Sequence, residues 1–220
     1  MTGAKSKEQR IKSKKPRIKN QEHRNRDKEA RQKLTQLLSF KHQTFKLSNI
    51  KLNNMIQIKD SILAAEAEKG MDEFLQVFTN AYLEALGGEL KTDNMSLLNG
   101  SQHTLLAYHF FTKEMNDGGF VQLIQNGYGG YIFSNPFAKA IKLFGAIELS
   151  KLIYKAKEIY DPNKLTLERE TTEEEFNALY VDFEVFDELE ENYFDIEEKQ
   201  TAIIATYVDE HIEEFAEIIH

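Results

Sequence analysis

The sequence predicts an all-α protein, a compact bundle of several helices with a basic, disordered N-terminal arm. Apolar residues recur at intervals of three and four, which places them on one face of a helix. No segment sustains the alternation of apolar and polar residues that is typical of a half-buried strand. Glycine, proline and asparagine fall between the periodic segments, where helices begin and end. With 220 residues and 41% hydrophobic side chains, the chain is long and apolar enough to bury a sizeable core.

Three regions follow from composition. Residues 1–33 form a basic, flexible arm, because the first twenty contain almost nothing to pack and carry like charges. Residues 34–96 form N-terminal helices that pack on the main domain; their apolar pattern begins at Leu34, Leu37 and Leu38. Residues 97–220 form the main helical domain.

Two helices are predicted in the second region. Asn53 precedes an apolar pattern over residues 55–63, and Gly70 ends that helix. The next helix spans residues 71–86, and Gly87 and the glycine after it end it.

The middle of the chain predicts four more helices. Ser101 is the expected N-cap of a helix that ends at residues 116–119. A short helix over 120–125 follows, and the glycine-rich residues 126–130 then form a turn. Pro136 suits the first turn of a further helix. Another helix begins after Gly145 and ends at Asp161 and Pro162, since proline disrupts a helix interior.

The last third predicts three helices. Thr172 and Glu175 have the spacing of a capping box ahead of the first. Residues 186–194 form a second, short helix, and residues 196–219 form the longest amphipathic helix. Residues 181–185 are the one segment that could form a strand.

The charge is sorted along the chain. Residues 1–40 hold 13 Lys and Arg against 4 Asp and Glu, whereas residues 165–220 hold 2 against 19. The two ends of the chain therefore produce electrostatic fields of opposite sign. Such fields affect the choice of partner and the rate of encounter rather than the fold. The chain has no cysteine, no apolar stretch long enough to span a membrane and no apolar segment of a secretory signal, so we expect a soluble, cytoplasmic protein.

Catalytic and metal-binding patterns are weak. His103 and His109 are six residues apart, which turns their side chains about 120° apart on a helix and suits packing better than metal binding. Nucleophile-elbow, phosphate-loop and dinucleotide-binding motifs are missing from the sequence. We therefore expect no cofactor and no enzymatic activity; an enzyme would need a pocket around His109, Tyr128 and Tyr131.

One motif is more specific. It is the run Asn-Asp-Gly-Gly-Phe with polar residues and a glycine downstream, and its structural members are Asn116, Gly118, Gly119, Phe120, Gln122, Asn126 and Gly129. With the preceding helix over 102–115 and the later residues 186–189, it resembles the C-terminal domain family of acidic bacterial DNA-mimic proteins, long catalogued as a domain of unknown function. The resemblance covers about residues 97–216, and Asp117 stands where the family usually has asparagine.

The resemblance implies an all-helical domain without known catalysis. In the family's characterised example it also implies a dimer whose carboxylates imitate DNA phosphates and occupy the DNA-binding surface of a transcription factor. For this chain it predicts a basic protein as partner, and its aromatic-rich faces allow a homodimer.

An acidic helical face is the candidate binding surface. A row of glutamates on residues 196–219, with further carboxylates nearby, approaches the density of phosphates on a duplex. The alternative interpretation is an acidic, solvated face that provides solubility. The predicted partner-binding residues are Asp187, Glu190, Glu191, Glu197, Glu198, Glu210, Glu213, Glu214 and Glu217.

The basic arm supports other hypotheses. Its lysines and arginines could neutralise phosphates and give weak, salt-sensitive binding to nucleic acid. The arm could instead fold back on the acidic face, or be an ordinary solvated tail. The candidate phosphate-binding residues are Lys12, Lys14, Lys15, Arg17, Lys19, Arg24 and Arg26.

Overall fold

A computed structural model of the chain describes residues 56–220, and helices dominate this part, which confirms the all-α prediction. The predictions for residues 1–55, including the basic arm, lie outside the described residues. The helices are α1 Asp60–Ala67, α2 Met71–Ala85, α3 Gly100–Gln125, α4 Gly129–Phe133, α5 Phe137–Leu143, α6 Ile147–Leu167, α7 Glu173–Asp182 and α8 Asp187–Glu210; short 3-10 turns cover Met95–Leu97, Glu184–Phe186 and Ile212–Glu214, and two strands are β1 Gln57–Lys59 and β2 Glu217–Ile219.

Helix α3 is the centre of the bundle. Helices α2, α4, α5, α6 and α8 all pack against it, and Leu105, Leu106 and Phe111 are fully buried. Its N-cap is Asn99, which forms a capping box with Gln102, so the prediction that Ser101 caps this helix was wrong by two residues. Ser101 instead lies in the first turn.

The strands β1 and β2 pair in parallel, with Ile58 opposite Ile218. The predicted helix over residues 55–63 therefore starts too early, because α1 begins only at Asp60. Residues 181–185, the one segment of the sequence that could form a strand, instead cover the end of α7 and the start of the 3-10 turn after it. Strands of three residues are too short to show an alternating pattern in the sequence. Their pairing also joins opposite ends of the described residues, so no local pattern indicates it.

Helix α6 continues through Pro162, where the sequence predicted its end. Leu167, in its last turn, is fully buried, and its carbonyl accepts a hydrogen bond from the side-chain amide of Gln125. The hydroxyl of Tyr160 donates to Glu168 just beyond. Pro162 has no backbone N–H and therefore leaves one helical hydrogen bond unmade. The contacts of Leu167 and Tyr160 stabilise the end of α6 in spite of this loss.

Helix α8 is one continuous helix where two were predicted, and it ends at Glu210 rather than near residue 219. Phe215 explains the end: its ring is fully buried and its carbonyl accepts hydrogen bonds from the Tyr82 hydroxyl at 3.1 Å and the Gln102 amide at 2.8 Å. The chain must leave the helix to place this carbonyl. None of the helices described here is both long and apolar enough to cross a membrane.

Candidate protein-binding acidic surface

The glycine motif breaks α3, as the sequence predicted. Gly119 has a φ of 79°, outside the helical region, and the chain resumes a helical course at Phe120. A side chain at Gly119 would also overlap the carboxylate of Glu190 on α8. Both the backbone conformation and the close approach therefore require glycine.

Glu190 lies inside the protein. Its side chain is only 4% exposed, and its carboxylate accepts a hydrogen bond of 3.0 Å from the backbone N–H of Phe120. The ring of Phe120 stacks on Phe186, with 5.1 Å between ring centroids. The prediction that Glu190 belongs to the partner-binding face is wrong, because its carboxylate satisfies a backbone donor that the break in α3 exposes.

Other motif residues also have structural contacts. The side-chain amide of Asn116 donates to Glu197 at 3.2 Å, and the Tyr193 hydroxyl donates to the same carboxylate at 3.0 Å. The amide of Asn126 donates to Glu114, a buried residue that the sequence analysis did not single out. The motif therefore links the end of α3 to the part of this helix before the break, and it links α3 to α8.

The motif's remaining members pack tightly. A Cβ on Gly118 would lie 2.8 Å from the Cβ of Gln122, which is itself buried. Gly129 starts α4 instead of forming a turn, and a Cβ there would lie 3.0 Å from the ring of Tyr160. The small residue lets α4 approach α6 closely.

The water-facing side of α8 carries a regular row of carboxylates. Asp187, Glu191, Asp195 and Glu198 follow one another at intervals of four, four and three residues, so they share one face over about 16 Å of helix. Glu191, Asp195 and Glu198 are exposed and Asp187 is half-buried. We call these four residues the α8 row. Asp195 was missed in the sequence, although its spacing from Glu191 and Glu198 would have revealed it.

The predicted row on residues 210–217 does not exist as one helical face. Glu210 is the last residue of α8 and Glu213 lies on an exposed 3-10 turn. The Glu214 carboxylate accepts from the Ser101 hydroxyl at 2.6 Å. Glu217 lies in β2 and accepts from the Gln57 amide at 2.8 Å. The end of α8 thus divides these four glutamates among three elements.

Both basic residues of the acidic segment 165–220 form ion pairs. Arg169 lies 3.2 Å from Glu175, and Lys199 lies 3.1 Å from Glu148 at the start of α6. Each cation therefore has a carboxylate partner outside the α8 row.

Negative charge also accumulates where α2 meets α8. The pKa of Asp72 is raised, first by partial burial and then by the charges of Glu197 and Glu73. Asp72 on α2 therefore experiences the negative charge of Glu197 on α8.

The two middle histidines have different surroundings. His103 contacts the carbonyl of Met95 at 2.7 Å and the Tyr131 hydroxyl at 3.1 Å, which is a packing role. His109 lines a cavity of about 370 Å³ together with Tyr128 and Tyr131, so the concavity that an enzyme would need is present. Burial lowers the pKa of both histidines. Within residues 56–220, no group of three or more His, Asp or Glu could hold a metal ion.

Two comparisons of the sequence with known proteins identify relatives of this chain. The sequence profile of the DMP19-like protein family matches residues 96–211. A protein of Neisseria meningitidis serogroup B, named DNA mimic protein DMP19, is 32% identical over 145 residues, which cover 66% of this chain and 87% of that relative.

Proposed function

Because this chain belongs to the DMP19-like protein family, we propose that it acts as a DNA mimic. In this proposal the protein is not an enzyme: its acidic helical surface binds a basic, DNA-binding protein such as a transcription factor and keeps it from DNA. The partner-binding residues would be the α8 row with Glu210 and Glu213 at its end. The site of action would be the cytoplasm.

The observation that carries the proposal is the arrangement of the α8 row. Side chains three and four apart on a helix have Cβ atoms about 5–6 Å apart, and duplex DNA has a phosphate about every 3.4 Å along each strand. The spacing of carboxylates along the α8 row therefore approaches the spacing of phosphates along one DNA strand. Glu188 adds a further negative charge on the same helix.

The row also has a fixed support. Like charges at this spacing repel and destabilise an isolated helix slightly. Helix α8 packs on α2, α3 and α6, and Glu190 and Glu197 bind α3 directly. These tertiary contacts offset the repulsion between the carboxylates and hold α8 in one position. A helix held in this way favours recognition of a defined basic surface.

Capture of partners from the native cell tests the proposal. The full chain is immobilised, and the bound proteins are eluted with duplex DNA or with increasing salt. We expect DNA-binding proteins that leave with both, since DNA would compete for the same surface and salt screens exposed charges. Bound proteins that resist duplex DNA would contradict mimicry.

We also propose a homodimer, which the aromatic-rich faces of the sequence allow and which would present two such rows. Sedimentation velocity of the full chain measures it, and a monomer at all concentrations would rule it out.

A further inference from the structure

Phe194 is an apolar side chain on the charged face of α8. It is 44% exposed, and its ring lies 5.2 Å, between centroids, from that of its neighbour Tyr193. Two more apolar residues are exposed just before this helix: Val181 at 70% and Val185 at 54%. Single exposed apolar residues are common on protein surfaces, so exposure alone does not indicate a function.

The neighbours of Phe194 set it apart. The residues three and four positions away on either side of it are all glutamates: Glu190, Glu191, Glu197 and Glu198. Glu190 and Glu197 are held by hydrogen bonds to α3, and Glu191 and Glu198 are exposed. The ring therefore lies beside two exposed carboxylates of the α8 row, on a helix that Glu190 and Glu197 tie to α3.

Imitation of phosphates does not account for this side chain. A phosphate backbone has no apolar counterpart to a phenyl ring, and a charged residue here would make the row more like DNA. Aromatic residues surrounded by a polar rim are, however, the usual centres of protein–protein interfaces, where burial of the ring supplies much of the affinity.

Resting on the proposed function, we propose that Phe194 is an apolar anchor that inserts into an apolar pocket of the partner, between basic residues that meet Glu191 and Glu198. The charges argue for a basic protein rather than a second copy of this chain. In a two-fold contact centred on Phe194, the same carboxylates of both copies would face each other and repel.

Binding then has two components. Attraction between the α8 row and basic residues weakens as salt rises, because salt screens exposed charges. Burial of the ring does not weaken with salt. The anchor would also distinguish a basic protein with a matching pocket from other basic proteins of equal charge.

The test measures binding of two lysine-rich peptides, equal in length and charge, by the full chain. One peptide has a central Ser-Ser and the other a central Leu-Leu. We expect the wild type to prefer the Leu-Leu peptide by about fivefold to tenfold. F194S should remove this preference and leave the Ser-Ser affinity unchanged, whereas F194L should retain it.

Matched controls separate the anchor from a general effect. Tyr154 on α6 is 45% exposed, so Y154S removes a similar exposed area outside the acidic segment and should leave the preference intact. Urea unfolding of each variant verifies that the fold is retained. E191K/E198K should weaken binding of both peptides.

Three results would overturn the anchor: equal binding of both peptides by the wild type, an unchanged preference in F194S, or dissociation of a dimer by F194S in sedimentation velocity, which would place a second copy on the ring. The proposed function fails separately if E191K/E198K binds the Ser-Ser peptide as tightly as the wild type does.

Discussion

The carboxylate of Glu190 on α8 accepts a hydrogen bond from the backbone N–H of Phe120, 3.0 Å away, at the point where Gly119 breaks α3. A helix break leaves backbone donors without helical partners, and a buried donor without a partner costs about 1–3 kcal/mol. Glu190 supplies that partner from a different helix. The pair therefore links the family motif to the helix that carries the acidic surface.

Substitution of Gly119 should test this close approach. G119A should lower the free energy of unfolding by about 1–3 kcal/mol more than G88A, because both glycines have positive φ but only a side chain at Gly119 meets Glu190. Gly88 has nothing within 4 Å and serves as the control. Urea unfolding followed by circular dichroism measures both, and equal losses would contradict the close approach.

Glu190 and its neighbour Glu191 should behave differently. E190A should lower the free energy of unfolding by about 1–3 kcal/mol, since it leaves the N–H of Phe120 without its acceptor. E191A removes an exposed side chain and should change stability by less than about 0.5 kcal/mol. If both variants unfold at the wild-type urea concentration, Glu190 has no structural role.

Charge reversal should locate the binding surface on α8. E191K/E198K should weaken capture of a DNA-binding protein by at least about tenfold and reduce its salt dependence, because the row loses two negative charges and gains two positive ones. E84K/E158K changes the same number of charges at exposed positions of α2 and α6, outside the proposed binding surface, and we expect a smaller effect. Equal losses in the two variants would indicate a response to net charge alone.

The capping box of α7 should make stability depend on pH. The pKa of Glu175 is lowered, first by its hydrogen bond from the backbone N–H of Thr172 and then by further contacts with Thr172 and Arg169. A lowered pKa in the folded state stabilises the protein above the ordinary carboxyl pKa of about 4.3, and this contribution is lost as pH falls through the lowered value. E175Q should therefore unfold at lower urea than the wild type at pH 7, and the difference should shrink in acid. A difference that stays constant with pH would contradict this role for the carboxylate.

Removal of residues 1–33 tests the nucleic-acid hypothesis for the basic arm. If Lys12, Lys14 and the other basic residues of the arm contact phosphates, the truncated protein should elute from immobilised duplex DNA at lower salt than the full chain. Unchanged retention at low salt would exclude this hypothesis.

Sequence patterns predicted the features that depend on neighbours along the chain. The helix over Met71–Ala85, the capping box of Thr172 and Glu175, and the break at Gly119 were all predicted, because helical periodicity, capping and glycine conformation are properties of short segments. The family was likewise predicted from the motif around that break.

The candidate site was predicted less well. The sequence identified the acidic segment and Asp187, Glu191 and Glu198 on it, but it included the buried Glu190 and omitted Asp195. A glutamate looks the same in a sequence whether it faces water or a backbone N–H, so burial had to be read from the structure.

The sequence by itself determined that this is an all-α chain with opposite charges at its two ends and a family motif between them. Only the tertiary structure decided that α8 ends at Glu210, that β2 returns to pair with β1, and which carboxylates remain on the surface. Each of these features depends on contacts between residues far apart in the chain. The buried carbonyl of Phe215 and the backbone N–H of Phe120 both form such hydrogen bonds, and β1 pairs with β2 across the described residues. Buried polar groups must be hydrogen-bonded, and long-range partners that satisfy this requirement leave no local pattern in the sequence.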